Sequence, residues 1–231
     1  MSMNVDKMYW TALKSDGTKE RVEASLVVEH KLDVYVNGEK TVSLVCSNDQ
    51  LEELVTGRLC TDGYISRKED ISKISFDASC ERAEVALSAD NDAADRRALE
   101  KVKTCDYNPE DVFEIAGRFA EGMPVHSMTK GTHSCILARG REMLYSCEDI
   151  GRHNTVDKAV GYALINGIDL TKCILYISGR VPTDMMQKVI RSGIPVLVSK
   201  AVPTADAVKM ADEYGVTLIV KAYPDKIEIC R

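Results

Sequence analysis

The chain has 231 residues, 45% of them hydrophobic, enough for one large domain or two small ones with a sizeable core. A formal net charge of -6 excludes broad, sequence-independent nucleic-acid binding, which rests on many Lys and Arg contacts to phosphate. No apolar run approaches the roughly eighteen residues of a membrane span, and the start MSMNVDKMYW shows no leader pattern, so a cytoplasmic protein with no membrane contact is expected. YWTALK and RVEASL flank an SDGT turn, and VYV and TVSLV flank Asn37-Gly38-Glu39-Lys40, which reads as two hairpins. Ser47-Asn48-Asp49-Gln50 has the pattern of a capping box. Leu51, Leu54, Val55 and Leu59 follow at helical spacing, with Gly63 beyond the end. ISKISF and RAEVALS read as two more strands.

From about Ser88 to Asn108 the chain turns polar, with a short charged helix expected in its middle part. The division expected here is an N-terminal α+β domain over 1–104, rich in hairpins, and an α/β domain over 105–231. Asn108 as cap and Pro109 at the first position open a helix that ends near Gly122-Met123-Pro124. Strands then alternate with helices: THSCILA, MLYS, a helix over 154–166, CILYIS, a helix over 183–192, IPVLVS, a helix over 204–214, VTLIVK and an edge strand KIEIC. Such alternation predicts a mostly parallel sheet covered by helices on both faces, a three-layer arrangement.

In a sheet of that kind, ligands collect outside the carboxyl ends of the strands, where helix N-termini attract anions. Three strand-to-helix junctions are polar: CEDIGRHNTVDK, SGRVPTD and SKAVPTAD, the last two resembling local repeats. They direct Arg152, Lys158, Arg180 and Lys200 to one edge, with Ser178 and Ser199 at strand ends, while Gly151 and Gly179 permit close backbone approach. The plainer alternative makes Thr183 and Thr204 ordinary helix caps. His133 and Cys135 alternate along a strand and so share a face, and Cys147 and His153 on the next connection are candidates to complete a zinc site with them, or His153 orients Glu148 or Asp149. No metal is expected. The eight cysteines form no C-x-x-C pair and read mostly as buried free thiols; Cys105 differs, because it follows Lys101 and Lys103 in the polar connection, where a thiol is expected to be exposed and partly ionised.

These residues resemble the FdhD formate dehydrogenase accessory proteins. The likeness runs from VVEHKLDVYVNG through DQLEELVTGRLCTDGYI and is strongest in EDIGRHNTVDKAVG, SGRVPTDMMQKVIRSGIP and SKAVPTADAVKMADEYGVTL. It implies a cytidine-deaminase-like C-terminal fold, a homodimer, and binding of the bis-guanine-dinucleotide molybdenum cofactor, with GDP as a partial mimic. A cysteine desulfurase would supply sulfur to Cys105, which would hold it as a persulfide, making the protein a sulfurtransferase that serves formate dehydrogenase. Cofactor contact is implied for His133, Glu148, Asp149, Gly151, Arg152, His153, Asn154, Asp157, Lys158, Ser178, Gly179, Arg180, Ser199, Lys200, Pro203, Thr204, Lys221, Tyr223 and Lys226. The sequence departs from the family at three places. Cys105-Asp106-Tyr107-Asn108 replaces a two-cysteine C-G-x-C-G, Lys130 stands where T-G-G-x-H-x-A has a glycine, and the tail Val220 to Lys226 lacks the Arg-Gly of G-F-x-R-G. The missing second cysteine leaves open a cofactor-binding chaperone without sulfur transfer. A zinc-dependent nucleoside deaminase is disfavoured, because H-x-E and P-C-x-x-C are absent.

Overall fold

The computed structural model describes residues 4–89 and 96–230. Strands β1 (Val5–Leu13) and β2 (Lys19–Val27) form the first expected hairpin, a two-stranded sheet of its own. Strands β3 (His30–Val36) and β4 (Glu39–Cys46) form the second. Asn37 and Gly38 both take left-handed angles, φ 51 and 86, as a tight two-residue hairpin turn requires. Helix α1 (Leu51–Asp62) follows, then β5 (Ile71–Phe76) and β6 (Arg82–Leu87), giving a sheet ordered β4-β3-β6-β5.

No secondary structure forms over residues 96–108, and the rest of the expected charged helix lies outside the described residues. Helix α2 (Pro109–Ala120) starts as the sequence directs, with the Asn108 side chain accepting the Glu110 N–H. Pro124, read as part of a helix end, instead opens a further short helix, α3 (Pro124–Thr129). Then come β7 (His133–Arg139), β8 (Glu142–Asp149), α4 (Arg152–Ile165), β9 (Ile174–Ile177), α5 (Thr183–Arg191), β10 (Val196–Ser199), α6 (Ala205–Tyr214), β11 (Thr217–Tyr223) and β12 (Lys226–Cys230).

These six strands form one sheet ordered β12-β11-β10-β9-β7-β8. It is mixed, and the expectation of a mostly parallel sheet is corrected: only β9, β10 and β11 run parallel, while β7, β8 and β12 join antiparallel. The reason is loop length. A parallel crossover takes a dozen or more residues, and the β7–β8 and β11–β12 connections leave room only for hairpins. Alternate residues face opposite ways. Leu137, Leu175, Ile177, Leu197 and Leu218 join a core with α4, α5, α6, α1 and the four-stranded sheet, whereas Ile136, Tyr176, Val198 and Ile219 pack with Val112, Ile115 and Phe119 of α2. Helices thus cover both faces.

The halves of the chain meet along α1 and α4, whose backbones touch at two glycines. A Cβ on Gly57 would lie 1.7 Å from the Asp157 carbonyl oxygen, and one on Gly161 would lie 1.9 Å from that of Glu53. Only glycine fits at such a crossing.

The capping box expected ahead of α1 does not form. Gln50 takes the cap position with a left-handed φ of 54 and no side-chain cap bond. Ser47 and Asp49 are drawn away to Lys158, whose Nζ donates to Ser47 Oγ and Asp49 Oδ1, each at 3.0 Å, and to Asp149 Oδ2 at 2.8 Å. A buried ammonium needs these acceptors more than a helix N-terminus that Gln50 already terminates.

Candidate functional site

The carboxyl ends of β9 and β10, the start of β7 and the start of α4 come together at one sheet edge, as the three polar junctions suggested. The two resembling loops lie side by side: Val181 bridges Pro203 in parallel, and Thr204 N donates to the Val181 carbonyl at 3.0 Å. Lys221 N donates to Ala201 O at 3.2 Å, which brings the end of β11 to the same edge.

At the centre, His133 Nδ1 lies 3.2 Å from Ser178 Oγ, which accepts the Ser134 N–H at 3.0 Å. Arg152 lies across Gly179, where a Cβ would come within 3.0 Å of the Arg152 Cβ and 3.2 Å of its Cδ. Glycine at 179 therefore admits the guanidinium stem. The Nε of Arg152 is buried without a hydrogen-bond partner. His153 Nε2 sits 3.0 Å from Asp184 Oδ2 as an ion-pair contact lacking hydrogen-bond alignment, and the expected partners Glu148 and Asp149 are engaged elsewhere.

Burial, then the neighbouring Arg152 and His126, push the His133 pKa below its ordinary 6.5. In an NMR titration His133 is therefore expected to stay neutral to lower pH than a free histidine, and Arg152→Gln to move its midpoint upward. An unchanged midpoint would mean that the guanidinium does not face the ring.

Several residues expected at a ligand are structural instead. Lys158 is 0% exposed and saturated by acceptors, which withdraws it from the set of cations that converge on the edge. Asp157, also 0% exposed, accepts two bonds from Lys188 Nζ at 2.8 and 2.9 Å. Asp149 accepts from Ser47, Gly151 and Asn154, and Asn154 also donates to Val45 O. Ser199 Oγ donates to Gly179 O and accepts the Ala201 N–H, a bond within the loop. Thr204 caps α6, in line with the plainer alternative, whereas Thr183 is the first residue of α5 and Pro182 takes its cap position. Lys221 and Lys226 reach the surface and share Glu228. Arg180 and Lys200 are exposed, and Ser178 and Gly151 are half-buried.

Glu148 has a different task from the one expected. Its carboxylate accepts from Val125 N, His126 N and Thr132 Oγ1, so it fixes α3 against the edge. Between α3 and the edge lies a cavity of about 300 Å³, lined by His126, Ser127, Lys130, Ser134, Ser178 and Lys200 among others. The sequence reading missed the α3 side of this wall. Its one signal was Lys130 at a glycine position.

The potential zinc ligands do not gather. Cys135 and Cys147 lie opposite each other with their sulfurs 3.4 Å apart and both directed at Thr155 O, while the two histidines turn to Ser178 and Asp184. Among the described residues, no group of three His, Cys, Asp or Glu could hold a metal.

Cys105 is half-buried against the α2 core cluster. Its thiol is pushed above the ordinary 9.0 by burial and then by Asp106, so the expected ionisation by Lys101 and Lys103 is corrected. The segment crosses the far side of the sheet: Val102 N donates to Tyr214 O just before β11, and Cys105 lies near enough to Cys173, ahead of β9, to raise its pKa. Ser178, at the opposite end of β9, belongs to the edge cluster.

The FdhD/NarQ family profile matches residues 27–106 and 97–230. The chain belongs to the FdhD/NarQ family. It is 30% identical to the sulfur carrier protein FdhD of Halalkalibacterium halodurans, over 84% of this chain and 82% of that one. It is 29% identical to the sulfur carrier protein FdhD of Bacillus subtilis, over 88% and 87%. In three dimensions it superposes on a candidate formate dehydrogenase accessory protein from Desulfotalea psychrophila with a TM-score of 0.83 and 25% identity, over 97% of this chain and 96% of that one. The FdhD/NarQ fold is accordingly a mixed α/β fold. No helix among the described residues is long and apolar enough to cross a membrane.

Proposed function

We propose that this chain is a sulfur carrier for formate dehydrogenase that takes sulfur from a cysteine desulfurase onto Cys105 and delivers it to a bis-guanine-dinucleotide molybdenum cofactor held as cargo at the strand edge. The observation that carries the binding half is the buried Arg152 Nε, which has no partner beside Gly179 and Ser178. Buried guanidinium nitrogens are rarely left unpaired, and a phosphate oxygen supplies the missing acceptor. Helices on both faces of the sheet support a cytidine-deaminase-like reading of this half. The family names support a client in formate dehydrogenase.

In the loading step the Cys105 thiolate attacks the outer sulfur of a desulfurase persulfide. A new S–S bond forms on Cys105, the old one breaks, and the desulfurase cysteine leaves as a thiolate. Because burial raises the Cys105 pKa, its thiolate fraction grows as pH rises above neutral, and loading is expected to accelerate in that direction. The same half-burial, with Cys105 beside Cys173 at the end of β9 opposite the Ser178 edge, favours a second reading, a holder of the cofactor that carries no sulfur. Intact-protein mass after incubation with desulfurase and cysteine separates them. A gain of one sulfur, lost in Cys105→Ala, supports the carrier, and no gain in the wild type leaves the holder.

A further inference from the structure

We infer that the cavity between α3 and the strand edge is an oxyanion subsite, and that Lys130 is its clamp for a phosphate or pyrophosphate group. The inference rests on the cargo reading above and names the part of the cargo that enters here. A volume of about 300 Å³ lies at the lower end for small-molecule sites, so it admits a phosphate or pyrophosphate rather than a whole nucleotide with its base.

The lining suits an anion. Lys130 and Lys200 both border the cavity, and neither ammonium group has a carboxylate partner among the described residues. Ser178 and Ser127 bring hydroxyls, and the Ser178 oxygen is already fixed by the Ser134 N–H. His126 donates Nδ1–H to the Thr132 carbonyl at 2.7 Å, which fixes the ring at the cavity wall. Glu121 is the opposing charge on the rim. The wall is preorganised, because the buried Glu148 carboxylate holds α3 through two backbone N–H groups and Thr132.

Lys130, like Lys221 near the end of β11, holds a backbone angle that favours glycine. It ends α3 with φ 56, a left-handed angle that glycine takes without cost and lysine does not. A lysine at such an angle, bordering a polar cavity and without a carboxylate partner among the described residues, is placed to meet an anion.

Calorimetry with inorganic pyrophosphate, GDP and guanosine on the full chain tests this. Lys130→Gly is expected to weaken pyrophosphate about tenfold, the loss of one charge-assisted contact, while its Tm stays level or rises because the strain is relieved. Lys130→Arg should retain most of the affinity, and Lys209→Ala, on exposed α6, should change nothing. Pyrophosphate affinity unchanged in Lys130→Gly, or lowered equally in Lys209→Ala, overturns the clamp. Unaltered GDP binding by Lys130→Gly removes the clamp and leaves the cargo reading in place. Lys130-dependent pyrophosphate binding with no binding of GDP keeps the anion subsite and removes the guanine dinucleotide. Binding of neither by the wild type overturns both.

Discussion

Gly57→Ala and Gly161→Ala are each expected to lower stability by about 3 kcal/mol or more, the upper range for overpacking. The added methyl would meet backbone, at 1.7 Å from Asp157 O and 1.9 Å from Glu53 O, and backbone does not swing aside as a long side chain can. Helices α1 and α4 would have to separate. Their separation would also pull Ser47 and Thr61, near the two ends of α1, away from Asp149 and Asp157. Gly117→Ala is the contrasting case. It lies within α2 with nothing inside 4 Å of an added Cβ, so the substitution is expected to stabilise by about 0.5–1 kcal/mol through helix propensity and a less flexible unfolded chain. Urea unfolding of the three variants decides the matter. A Gly57→Ala midpoint equal to wild type would show that the crossing has room the structure does not display.

What the sequence revealed follows from the range of the interactions. The hairpin at Asn37-Gly38, the cap at Asn108 and the pairing of SGRVPTD with SKAVPTAD are local, or repeat the same local solution, and a single chain segment dictates them. Ser47 failed as a cap because its partners Asp149 and Lys158 lie more than a hundred residues away. Nothing at 47–50 announces them. Lys158 likewise read as a cation at the ligand edge, and only the α1–α4 crossing puts it inside. Gly57 and Gly161 are unremarkable as helix residues until the partner helix is known. At Cys105 the neighbouring lysines are exposed, whereas burial and Asp106 set the direction of the pKa. The edge cluster was legible from the strand-to-helix junctions, but α3 was not, since six residues that begin with a proline carry little periodicity.

Lys158→Met is expected to cost about 3–5 kcal/mol, the range for breaking a buried ion pair by removing one partner. Asp149 is 0% exposed, and its other donors are neutral, from Ser47, Gly151 and Asn154. Without the ammonium it would remain a buried charge. Asp149→Asn in the same chain removes that charge, so the double variant should lose less than the sum of the two single ones. The pH dependence supplies an independent sign. Burial alone would lower the Lys158 pKa, but the attraction of Asp149 and then Asp49 outweighs it, and the folded value stands above the ordinary 10.5. A raised folded pKa means stabilisation that is fully present below the unfolded value and lost as pH climbs through the folded one. The stability gap between wild type and Lys158→Met is therefore expected to stay constant through neutral pH and to shrink only above about 10.5. Taking the difference removes the cysteine and tyrosine ionisations common to both proteins. A gap that closes already near neutral pH, or a loss below about 1 kcal/mol, the range of exposed pairs, would show that Lys158 is solvated in solution and free to meet an anionic ligand after all.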